Sequence, residues 1–178
     1  MKKWIIVEDR PWVMEEFIRD IKQRAQDREQ VYCEPEILYY NEDEEETGSI
    51  KEDTYEINVK KFEQETGIKV KRFGSAHFVE CMDEYYKGNY IIFMDLNLTG
   101  GKSMYFNERN NVQYAREKLF QSQKKGEKEK QIWFYTTGAS LDASFLLGEF
   151  ADNVVEVSNF EDGKAYLDID KSWEILCD

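Results

Sequence analysis

Three carboxylates, Glu8, Asp9 and Asp95, follow directly on two short apolar runs, 4–7 and 90–94. Brought to roughly 5 Å of one another, such charges repel by about 3 kcal/mol per pair at an effective dielectric of 20. A cluster of this kind binds a cation, takes up a proton or splays apart. Mg²⁺ suits it, being hard, octahedral and satisfied by a few carboxylates together with waters and a phosphate oxygen. A phosphoryl donor held by that ion could be attacked in line by Asp95 as nucleophile. Thr136 follows another strand-like run, 131–135, and its hydroxyl could donate to a phosphoryl oxygen. Lys102, on the loop after Asp95, is a candidate cation for the same group.

Residues so far apart in sequence need a scaffold that brings them to one edge. Fully apolar runs of four to five residues read as strands buried on both faces, as in a parallel sheet covered by helices. In open α/β sheets, ligands bind just beyond the carboxyl ends of such strands. After the first strand, Pro11 suits the first turn of a helix. Val13, Phe17, Ile21 and Ala25 recur at i, i+4 and predict a helix to about residue 30. The stretch 31–66 breaks the rhythm. Its first part, 31–40, reads as a strand that Pro35 would push to a sheet edge. An acidic run at 41–46 reads as a solvated turn, and Ser49-Ile-Lys-Glu52 as a capping box opening a helix with Tyr55, Val59 and Phe62 on one face. Gly67 would end that helix.

The alternation then resumes: strand 68–73, helix 76–87, strand 90–94, helix 111–123, strand 131–135, helix 141–149, strand 153–157 and helix 161–176. The expectation is a (βα)₅ chain forming a doubly wound, five-stranded parallel sheet in a flavodoxin-like three-layer sandwich. It is one domain over 1–178 with an insertion at 31–66. His77 falls at a helix start, with no nucleophile to pair with. Gly101-Lys102-Ser103 looks like the end of a P-loop, but Leu96 stands where the first glycine belongs, so it reads as a loop.

Composition narrows the classes. A length of 178 residues and 15% aromatic content allow a packed core. The net charge of −13 argues against nucleic acid or an anionic membrane as the main partner. Three cysteines, Cys33, Cys81 and Cys177, are odd in number and lack metal spacing, which points to a reducing cytoplasm. No apolar stretch approaches 18 residues and the chain opens on a strand, so neither a transmembrane helix nor a signal peptide is expected.

In order and placement these residues resemble the receiver domain of two-component response regulators. Glu8-Asp9 ends strand one, Asp95 the strand of the phosphoacceptor, Thr136 the next, and Phe160 follows the last. The resemblance covers the chain apart from 31–66 and extra length after Asp95. It implies Mg²⁺ bound by Asp9, Asp95 and the backbone carbonyl of Asn97, with Glu8 holding a metal-bound water. Asp95 would be phosphorylated, and Thr136 would contact the phosphoryl group and shift on activation. A sensor kinase or phosphotransfer protein would supply the group, and a downstream protein would read the result. The chain departs from the family where a Lys-Pro pair is usual, which here is Ser158-Asn159, and at the aromatic switch position, here Val155.

Three functions follow. One is a stand-alone atypical receiver acting through protein–protein contact, with no enzymatic activity beyond its own phosphorylation and dephosphorylation. Another is a pseudo-receiver scaffold that has lost phosphotransfer, as Ser158 and Val155 suggest. The third is a Mg²⁺-dependent phosphoesterase using Asp95. Asp95-Leu-Asn97-Leu-Thr99 is similar to the nucleophile motif of haloacid-dehalogenase phosphatases, and Thr136 to their second motif. That family, however, has an acid where Asn97 stands and places its other metal-binding acids later in the chain.

Overall fold

The structure is a computed structural model and describes residues 1–40, 54–74, 77–96, 98, 114, 117–118, 131–135 and 152–177. Its core is a five-stranded, all-parallel sheet of β1 (Trp4–Glu8), β2 (Glu36–Tyr40), β3 (Val70–Phe73), β4 (Ile91–Asp95) and β5 (Ile132–Tyr135), in the order β3-β2-β1-β4-β5. A 3₁₀ turn (Pro11–Met14) leads into α1 (Glu15–Asp27); α2 (Thr54–Thr66) and α3 (Phe78–Lys87) follow β2 and β3. An antiparallel hairpin, β6 (Val157–Glu161) with β7 (Lys164–Leu167), and α4 (Ile169–Cys177) complete the described elements.

Both faces of the sheet are covered, as a doubly wound fold requires. Alternate strand residues sort cleanly. Ile5, Val7, Leu38, Ile92, Met94 and Phe134 join one core with Phe78, Met82 and Tyr85 of α3. Trp4, Ile6, Ile37, Ile91, Phe93 and Tyr135 join the other, against α1, Phe62 of α2, Leu167 of β7, and Trp173 and Leu176 of α4. Every residue of β1 and β4 is buried, which is why both read as unbroken apolar runs. The predicted face of α1 is the buried one: Val13, Phe17, Ile21 and Ala25 are all inside, joined by Met14 and Ile18. Trp4, Phe17 and Phe93 pack edge to face with centroids 5.6–5.9 Å apart. Such ring pairs contribute about 0.5–1.5 kcal/mol each beyond the area they bury.

Two of the expected strands sit elsewhere than predicted. The 36–40 strand is not at an edge: it pairs with β1 on one side and β3 on the other. Pro35 lies just before the strand, where its missing N–H breaks no ladder bond. β1–α1–β2 therefore makes a first βαβ unit whose second strand falls in the stretch 31–66 expected as an insertion, and α2 leads from it to β3 at the sheet edge. Without β3 the remaining strands read in flavodoxin order. The expected strand 153–157 contributes only a single parallel bridge, Val154 to Phe134, beyond β5. The expected 161–176 helix starts later. Its first residues form a hairpin turn in which Asp162 and Gly163 both have positive φ, 52° and 73°. That is the two-residue turn that Asp-Gly favours. Gly67 does cap α2, with φ 76° and its N–H donating to the Glu63 carbonyl at 3.0 Å. His77 is the residue before α3, as expected. Among the described residues no helix is long and apolar enough to cross a membrane.

Candidate metal centre at the switch point

The sheet reverses its winding between β1 and β4. From β1 the chain proceeds to β2 and β3 on one side, then returns through α3 to β4 and β5 on the other. The crevice beyond the carboxyl ends of these two central strands is where doubly wound folds take ligands. Glu8 closes β1 and Asp95 closes β4.

Strand parity settles which way these acids face. Glu8 follows Trp4 and Ile6 at the two-residue period, and Asp95 follows Ile91 and Phe93, so both belong to the face that α1 covers. Register extends the pattern into a row across the sheet: Arg72 pairs with Tyr39, Tyr39 with Glu8, and Asp95 with Tyr135. Asp9, one residue beyond the strand, joins them. Glu8, Asp9 and Asp95 are 0%, 5% and 0% exposed, and one carboxylate oxygen from each lies within 4.8 Å of the others.

Glu8 is held at both oxygens. The Tyr135 hydroxyl donates to Oε2 at 2.9 Å, and the Arg10 backbone N–H donates to Oε1 at 3.1 Å. The Arg10 guanidinium Nε lies 3.7 Å from Asp9 Oδ1. Burial pushes the Glu8 carboxyl well above its usual range, and the neighbouring charges of Asp95 and Asp9 push it the same way. The Tyr135 hydroxyl is likewise raised, by burial first and then by Glu8 and Asp95. Three carboxylates in so dry a setting form a field that a divalent cation would relieve.

The donor set fits Mg²⁺. It consists only of hard oxygen ligands, one from each residue within 4.8 Å of the others. Glu8, Asp9 and Asp95 would hold the ion, leaving its remaining positions for water and a phosphate oxygen.

Of the residues singled out from sequence, the fold brings together Glu8, Asp9 and Asp95. Asn97, Thr136 and Lys102 lie outside the described residues, as do the acidic run 41–46 and the capping box. Ser158 is a backbone member of β6. Val155 is buried beside β5, its N–H donating to the Phe134 carbonyl at 2.7 Å. Two contributors escaped sequence reading, Tyr135 and Arg10. Tyr135 passed as one more apolar strand residue, although its parity with Asp95 across one strand pair marks it as facing the acids.

Fold and site together define a doubly wound α/β protein with a buried acidic centre at its switch point. No protein-family model matches the chain, and no curated protein matches it.

Proposed function

We propose that this protein is an atypical receiver-type phosphoacceptor, in which Mg²⁺ at Glu8, Asp9 and Asp95 allows Asp95 to accept a phosphoryl group. The observation that carries the reading is the convergence of three buried carboxylates on the switch point, with Asp95 on the strand next to β1. In the transfer, an Asp95 carboxylate oxygen forms a bond to phosphorus as the donor's P–O or P–N bond breaks. The leaving group departs with that electron pair. The ion would neutralise charge on the phosphoryl oxygens, while β1 and β4 hold attacking group and ligands in one register. Asn97 would add its carbonyl to the metal shell, and Thr136 would donate its hydroxyl to the phosphoryl group. The partners would be a sensor kinase or phosphotransfer protein and a downstream protein, in the cytoplasm. Signalling would proceed by a population shift between two arrangements of loops and helices.

A second reading, a scaffold that binds a cation without accepting a phosphoryl group, is favoured by Val155. This aliphatic residue is fixed in the core at the position where an aromatic switch would need to move.

Titration of Mg²⁺ with and without beryllofluoride, a non-covalent phosphoryl mimic, separates the two. Trp4, beneath the acids on the same face of β1, and Trp12, in the adjoining 3₁₀ turn, report by fluorescence. A phosphoacceptor gives saturable responses to both that Asp95→Ala abolishes. A scaffold responds to Mg²⁺ alone, and silence to both removes the metal reading.

A further inference from the structure

Tyr135 is wholly buried, yet a phenylalanine would fill the same space without a hydroxyl to satisfy. Burying a hydroxyl is unfavourable unless it finds a partner. Here the partner is Glu8 Oε2 at 2.9 Å, with the Val7 carbonyl oxygen a more distant 3.4 Å. The Arg10 N–H occupies Oε1. Two donors from separate elements, β5 and the turn after β1, thus set the plane of the Glu8 carboxylate from opposite oxygens.

We propose that Tyr135 is a positioning residue that sets the cation preference of this centre toward Mg²⁺ and against Ca²⁺. The inference rests on the cation reading of the acids given above. Mg²⁺ demands near-ideal octahedral geometry and gives up its waters reluctantly. Ca²⁺ accepts six to eight oxygens, commonly swinging a carboxylate round to bind through both. A carboxylate restrained at each oxygen presents one fixed direction, which suits the smaller ion and resists chelation by the larger. Partners just outside a metal's ligands typically govern affinity by about 10–100-fold.

The test is calorimetric titration of Mg²⁺ and Ca²⁺ into wild type, Tyr135→Phe, Glu8→Gln and the double variant. Tyr135→Phe is expected to weaken Mg²⁺ binding about tenfold while changing Ca²⁺ binding less, so that the preference for Mg²⁺ falls. Because Tyr135 acts through Glu8, the same substitution should have no further effect on either ion in the Glu8→Gln background. An unchanged preference, or an equal loss in that background, would overturn the role of Tyr135 while leaving the centre intact. Absence of saturable binding of either ion by wild type would overturn the centre and Tyr135 with it. If Tyr135→Phe does not fold, proton NMR of wild type reads the same contact. The buried Tyr135 hydroxyl proton should persist as a slowly exchanging signal when Mg²⁺ is added, and its loss would refute the assignment.

Discussion

Glu8 is a buried acid whose ionisation the fold opposes. Its carboxyl is raised by burial and by Asp95 and Asp9, so the folded, metal-free protein disfavours its charged form. A group whose folded pKa lies above its unfolded value contributes stability that is full below the unfolded value, here 4.5, and is lost as pH rises through the folded one. The metal-free protein should therefore lose stability across that window, and Glu8→Gln should flatten the loss. At neutral pH this substitution is expected to raise the melting temperature of the metal-free protein. The same variant should bind Mg²⁺ more weakly. Thermal denaturation against pH, with and without the ion, checks both halves, and a Glu8→Gln protein less stable than wild type without metal would contradict the account. Glu8, Asp9 and Asp95 were legible in the sequence because each ends an apolar run. The tyrosine hydroxyl facing them was not, since periodicity reports only that a residue is buried and not what its polar tip touches.

At the scale of elements, the hairpin shows where periodicity misleads. Residues 161–176 carry apolar side chains at spacings a helix would also explain, and Asp162-Gly163 was the overlooked signal. Both turn residues adopt positive φ, and a Cβ added at Gly163 would meet nothing within 4 Å. Gly163→Ala should accordingly cost about 1–2 kcal/mol from backbone strain alone, whereas Gly163→Asn should cost less; chemical denaturation of the two variants compares them. Next to the turn, Lys164 Nζ lies 2.8 Å from Glu16 Oε1 and 3.2 Å from Glu15 Oε2, tying the hairpin to the start of α1. The hydrogen bond from Lys164 is the main influence holding the Glu16 carboxyl below its usual value. A depressed carboxyl contributes stability that is present above the unfolded value of 4.5 and lost as pH falls through the folded one. Lys164→Ala should remove that part of the acid transition, visible as a shallower fall in melting temperature below pH 4.5. The strands 4–8, 91–95 and 132–135 were readable because burial on both faces leaves no polar alternation to confuse them. β2 was misplaced because Pro35 was taken to be inside the strand when it lies just before it.

The whole molecule was legible as a class and not as an arrangement. Alternating β and α segments specify a doubly wound sheet, but strand order depends on which loop crosses which face, and no local pattern records that. This is why β2, read as an edge strand, proved internal, between β1 and β3. Any ligand that binds only the assembled sheet stabilises the whole. Mg²⁺ at about 100 times its dissociation constant should add about 2.7 kcal/mol, a rise of about 5–10 °C in melting temperature. Asp95→Ala should abolish that rise, and scanning calorimetry with and without the ion reads it directly.

The position of β1 between β2 and β4 has a kinetic corollary. During synthesis, β1, α1 and β2 emerge together and can pair early, whereas the opposite flank of β1 must wait for residues 91–95. Contacts between segments so distant along the chain are slow to form. Asp95 thus reaches Glu8 and Asp9 only after the 85 residues between Asp9 and Asp95 have been made. A nascent chain stalled before that point would carry two of the three acids and could not chelate through the third. Cation capture would then mark the docking of β4 on β1, and arrested nascent chains of increasing length should acquire it abruptly.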